Sequence, residues 1–70
     1  MESTERVERV RYRFIGHVQG RGFRFACVTC ARKDELTGWV RNERDGTVTA
    51  EVQGIPEGHA SFLRRLTALV

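Results

Sequence analysis

A chain of 70 residues and 8.0 kDa is sized for one small domain, since folding at this length buries only about 60% of the surface the unfolded chain exposes. Hydrophobic residues at 40% with a single proline exclude a disordered tail, and no apolar run approaches the roughly 20 residues of a membrane span. The net charge is +3 and eleven of the twelve basic residues are arginine, whose planar fork of donors suits phosphate or carboxylate partners.

Residues 1–8 are mostly polar and read as a flexible arm, leaving one domain over residues 9–70. No apolar targeting segment follows Met1, so the expected location is cytoplasmic. From Arg9 the chain alternates, with Val10, Tyr12 and Phe14 on one side and Arg9, Arg11 and Arg13 on the other, the period of a half-buried strand ending near Ile15. Three glycines among residues 16–22 then demand a bend or a close approach. From Phe23 to about Lys33, Phe23, Cys27, Cys30 and Ala31 fall at helical spacing and predict a helix with those residues inward.

Two strands follow, Leu36 to Asn42 and Thr47 to Gly54, joined through Asp45-Gly46, a strong hairpin signal. Pro56 opens a final helix where its missing N–H costs nothing, with Phe62, Leu63, Leu66, Leu69 and Val70 as its buried stripe. The order strand, helix, strand, strand, helix predicts an α+β domain with a helix layer over one face of an antiparallel sheet.

The segment Gly16-His17-Val18-Gln19-Gly20-Arg21-Gly22-Phe23-Arg24 sets a glycine-rich loop at a helix start with an arginine in the first turn. Backbone N–H groups of such a loop, the unpaired donors of the helix N-terminus and the guanidinium together suit an anion. An ordinary connection with a solvated arginine accounts equally well for these residues alone. The Walker pattern fails for want of its lysine, and the dinucleotide pattern fails because Phe25 stands where its third glycine belongs.

Cys27 and Cys30 form Cys-x-x-Cys inside the helix rather than at its start, which favours core packing over redox chemistry. No further Cys or His pair stands near them in sequence, so no metal site is expected. His17 and His59 read as bystanders, and Trp39 as a partly covered aromatic.

Gly16-x-Val18-Gln19-Gly20-x-Gly22-Phe23-Arg24, then Gly38-Trp39-Val40-Arg41-Asn42, Asp45-Gly46-Thr47-Val48 and Gln53-Gly54 before a helix, resemble the acylphosphatases from about Arg9 onward. The resemblance implies a ferredoxin-like α/β sandwich of order β-α-β-β-α and hydrolysis of acyl phosphates without metal or cofactor. It would make Arg24 the phosphate-binding arginine and Asn42 the residue orienting water, with Gln19, Gly20, Arg21, Gly22 and Phe23 as the phosphate loop.

Three departures stand beside this resemblance. The family continues to a closing strand beside the first, so its absence here predicts an open edge on the first strand and self-association through it. Glu35 occupies the place of a helix-capping glycine, a position that favours the left-handed conformation. Arg21 replaces a small apolar loop residue.

The alternative function is a non-catalytic module binding anions or nucleic acid through Arg9, Arg11 and Arg13. Against nucleic acid, Tyr12 and Phe14 are expected in the core rather than exposed for stacking. An acylphosphatase-like domain of larger carbamoyl-transferring maturation proteins ranks lower still, since no cysteine-rich region accompanies it.

Overall fold

The computed structural model describes residues 6–16 and 22–69. Its elements run β1 (Glu8–Phe14), α1 (Phe23–Lys33), β2 (Thr37–Asn42), β3 (Val48–Gly54) and α2 (Pro56–Leu69). The order and every element type match the sequence reading, with strand ends shifted by a residue. β1 starts one residue inside the predicted arm, whose residues 1–5 lie outside the described residues.

Alternation on β3 organises the packing. Val48, Ala50 and Val52 are buried on one face, and the sheet order β1-β3-β2 places this strand centrally, antiparallel to both neighbours. In register, Tyr12 meets Ala50 on one side and Val40 meets it on the other, so all three strands turn apolar residues the same way. Over that face lie Phe23, Cys27 and Cys30 of α1 and Phe62 and Leu66 of α2, with Leu36 closing the end of the core. Two helices on one face of an antiparallel sheet make a ferredoxin-like α+β fold. Among the described residues no helix is long and apolar enough to cross a membrane.

Local chemistry explains the boundaries. α1 starts after Gly22, which takes φ 73, and ends in a paired cap: the Leu36 N–H donates to the Ala31 carbonyl and the Glu35 N–H to that of Arg32. Glu35 itself is left-handed at φ 57, as its glycine-like position predicts. The hairpin turns where Asp45-Gly46 stands, with Gly46 at φ 93 and Asp45 Oδ1 accepting from both the amide and the hydroxyl of Thr47. Gly38 is held for a second reason: its φ is 146, and a Cβ there would meet the Glu51 carbonyl oxygen on the neighbouring strand.

Two sequence expectations need correction. Leu63 is 38% exposed rather than part of the buried stripe, because Phe62 and Leu66 already fill the line of contact to the sheet. Nothing is described for Val70 or for the side chain of Leu69, which lie outside the described residues in that respect. His59 is no bystander: it is 6% exposed and hydrogen-bonded to Tyr12 and to the backbone of Glu8. Cys27 and Cys30 are free buried thiols packed in the core, as their helical spacing predicts.

The open face of the sheet carries the arginine stripe. Glu51 binds both Arg9 and Arg11, and Asp45 binds Arg13 at 2.6 Å, so two carboxylates serve three arginines. Tyr12 and Phe14 pack against the core instead of facing solvent. Trp39 lies between Arg11 and Arg41, whose guanidinium carbons are 5.9 and 5.0 Å from its ring centre.

Candidate functional site

The start of α1 is anchored by Phe23, which is 8% exposed and packs edge-on against Phe14 with ring centres 5.0 Å apart. Burying this ring turns the next residue, Arg24, away from the core into solvent. Asn42 ends β2, opposite the fully buried Val48, just before the chain enters the hairpin. Because α1 and β2 run in opposite directions along their shared seam, the first turn of the helix and the last residue of the strand come to the same end of the sheet.

A cavity of about 480 Å³ opens there, and Gly22, Arg24 and Asn42 form part of its wall. Phe25 lies at its rim, 75% exposed. Arg24 has no acidic partner among the described residues, so its charge is available to a ligand. An asparagine amide offers both donors and an acceptor, and a guanidinium offers a fork of donors, which together match a phosphoryl group and a water beside it.

Of the predicted loop, Gly22 and Phe23 sit at this helix start, whereas Gln19, Gly20 and Arg21 lie outside the described residues, as does His17. Sequence reasoning passed over Val28 and Arg32, which also line the cavity. Their signal was the spacing of Arg24, Val28 and Arg32 at i, i+4 and i+8, one face of a helix. Arg32 and Val28 further line a second cavity of about 310 Å³ along the same seam, walled by Trp39, Val40 and Phe62. Among the described residues no three His, Cys, Asp or Glu side chains gather as metal ligands.

The fold and this cleft define a small α+β domain with an anion-suited seam between its first helix and second strand. The acylphosphatase family model matches residues 10–68, and the chain belongs to that family. It is 50% identical over 52 residues to an acylphosphatase of Polaromonas naphthalenivorans, covering 74% of this chain and 52% of the relative. It is 46% identical over 59 residues to one from Bacillus licheniformis, covering 81% of this chain and 66% of the relative. Among solved structures, the crystal structure of acylphosphatase from Bacillus subtilis superposes with a TM-score of 0.83 at 33% identity, covering 90% of this chain and 69% of that one. The chain thus spans between about half and two thirds of the length of these curated relatives.

Proposed function

We propose that this chain hydrolyses acyl phosphates to a carboxylate and inorganic phosphate. The observation that carries the reading is the meeting of Arg24 and Asn42, from a helix and a strand far apart in sequence, on the wall of one cavity. Family membership and the names of the relatives support it.

The chemistry asks little of the protein. The leaving carboxylate is a weak base and needs no strong general acid, so the task reduces to positioning and to neutralising charge on the phosphoryl oxygens. Arg24 and the loop residues Gln19, Gly20, Arg21, Gly22 and Phe23 hold the phosphoryl group. Asn42 holds a water in line with phosphorus. As the water oxygen bonds to phosphorus, the bond to the acyl oxygen breaks and its electron pair leaves with the carboxylate. The water's proton passes to a phosphoryl oxygen, so the substrate serves as its own base and no cofactor enters the step.

The test is turnover of acetyl phosphate by the folded chain beside Arg24→Ala and Asn42→Ala. Loss of Arg24 is expected to lower kcat/KM by about 10³-fold or more, in line with phosphoryl-transfer arginines generally. A folded parent without turnover, or an Arg24→Ala protein as fast as the parent, defeats the reading. We place the protein in the cytoplasm, where a reducing environment keeps buried thiols such as Cys27 and Cys30 free.

A further inference from the structure

We propose that the seam between α1 and β2 carries a second anion subsite built on Arg32, which selects acyl phosphates bearing a further carboxylate at the far end of the acyl chain. The inference rests on the acyl phosphate reading and extends it from the reacting end of the substrate to the other.

Arg24, Val28 and Arg32 share one face of α1, and all three line the cavity that also contains Asn42. Eight residues of helix set the two arginines about 12 Å apart along the axis. Leaning inward, their side chains would bracket a substrate with an acyl chain of a few carbons. A cavity of about 480 Å³ has room for far more than a phosphoryl group, being many times the roughly 30 Å³ that one water occupies in the liquid. Val28, between the arginines, offers an apolar surface to the methylene groups of such a chain.

Position on the wall and charge together point to Arg32. Among the described residues no aspartate or glutamate lines either cavity along the seam, and the charged groups on their walls are the guanidinium groups of Arg24 and Arg32. Arg9, Arg11, Arg13, Arg41 and Arg65 are all engaged by carboxylates, whereas Arg32 has no such partner among the described residues. The acid nearest to it past the helix end, Asp34, is occupied by Arg65 at 3.2 Å. Arg32 and Lys33 also stand in the last turn of α1, where they offset the negative end of the helix dipole that would otherwise repel a carboxylate.

The experiment compares glutaryl phosphate with pentanoyl phosphate, which share a chain length and differ by the terminal carboxylate. The parent is expected to favour glutaryl phosphate in kcat/KM by about tenfold, the scale of one charge-assisted hydrogen bond. Arg32→Ala should erase that ratio, Arg32→Lys should keep part of it, and Arg32→Glu should reverse it. An unchanged ratio in Arg32→Ala, or a parent that favours pentanoyl phosphate, overturns the subsite. Binding is read separately by calorimetry, with an ω-phosphono carboxylic acid against the alkylphosphonate of equal length. If neither acyl phosphate turns over, the hydrolase reading falls, yet tighter binding of the carboxylate probe that Arg32→Ala abolishes still supports the subsite. Equal binding of the two probes, or none, overturns it.

Discussion

Tyr12 Oη lies 2.8 Å from Nδ1 of His59, and Nε2 of the same ring lies 2.9 Å from the carbonyl oxygen of Glu8. A carbonyl only accepts, so Nε2 carries a proton, and in the neutral ring Nδ1 accepts from the Tyr12 hydroxyl. Burial, with the charge of nearby Glu8, pushes the Tyr12 phenol above its ordinary value and keeps it a donor. The pair ties the edge strand β1 to α2 through a polar contact at the margin of the core.

Removing the hydroxyl by Tyr12→Phe leaves Nδ1 of a buried ring without its donor. The expected cost is about 1–3 kcal/mol, the usual penalty for stranding a buried polar group. Urea denaturation of the two proteins measures it, and equal midpoints and slopes would show that the contact contributes nothing.

The cap of α1 invites the opposite result. Glu35 holds φ 57, a conformation that costs a residue with a Cβ roughly 1–2 kcal/mol and glycine almost nothing. Its side chain is exposed, so Glu35→Gly is expected to raise stability by about 1 kcal/mol while leaving turnover alone. A lower thermal midpoint in the variant would contradict this account of the cap.

Acid should weaken the open face of the sheet. Hydrogen bonds from Arg9 and Arg11 hold the Glu51 carboxyl below its usual range. Thr47, with its hydroxyl first and its amide second, does the same for Asp45, with Arg13 adding to the effect. A carboxyl whose pKa is lower folded than unfolded stabilises the fold above its unfolded pKa, and that contribution disappears as pH falls through the folded value. Stability is therefore expected to decline below the ordinary carboxylate range, and Glu51→Gln should flatten part of the decline. An identical acid limb in that variant would assign the loss to other groups.

The thiol of Cys27 is pushed up to about 11, by burial first and by Cys30 second. At pH 8 its thiolate fraction is then about a hundredfold below that of a thiol at its ordinary value of 9.0. Iodoacetamide is expected to label Cys27 in the native protein at least that much more slowly than in urea. Similar rates in both conditions would place the thiol outside the core.

Self-association through β1 is proposed with a particular salt dependence. β1 is an edge of the described sheet, and antiparallel pairing of two copies centred on Arg11 would set Arg9 opposite Arg13 and Arg11 opposite itself. Like charges directly opposed disfavour that register, and their repulsion is screened beyond about 10 Å at 0.1 M salt but beyond about 3 Å at 1 M. Sedimentation velocity should show monomer at low ionic strength and association as salt rises. A monomer at every concentration and salt would remove β1 as a contact between copies.

Elements with a strong local period were legible in one dimension. Phe23, Cys27 and Cys30 marked α1, the alternation of Val48, Ala50 and Val52 marked β3, and Asp45-Gly46 marked the hairpin, because each depends on neighbours within a turn or a strand. Asn42 was named as a candidate through family resemblance alone, whereas Arg24 already stood out at the glycine-rich loop, where the residues by themselves left an ordinary connection equally open. Leu63 misled because helical spacing marks a broad apolar stripe, while the packing of Phe62 and Leu66 decides how much of it is covered.

His59 and Arg32 show where reading along the chain ends. His59 gains its role from Tyr12 and Glu8, which only antiparallel pairing of β1 with β3 and the return of α2 bring beside it. Arg32 becomes part of a cleft because β2 runs back along α1, and it has no carboxylate partner among the described residues. Local propensity and period are properties of residues close in sequence, so the amino-acid order determines the elements almost unaided. Which charges remain unpartnered, and which polar groups are buried together, depends on contacts between distant segments and was decided only when the helices closed over the sheet.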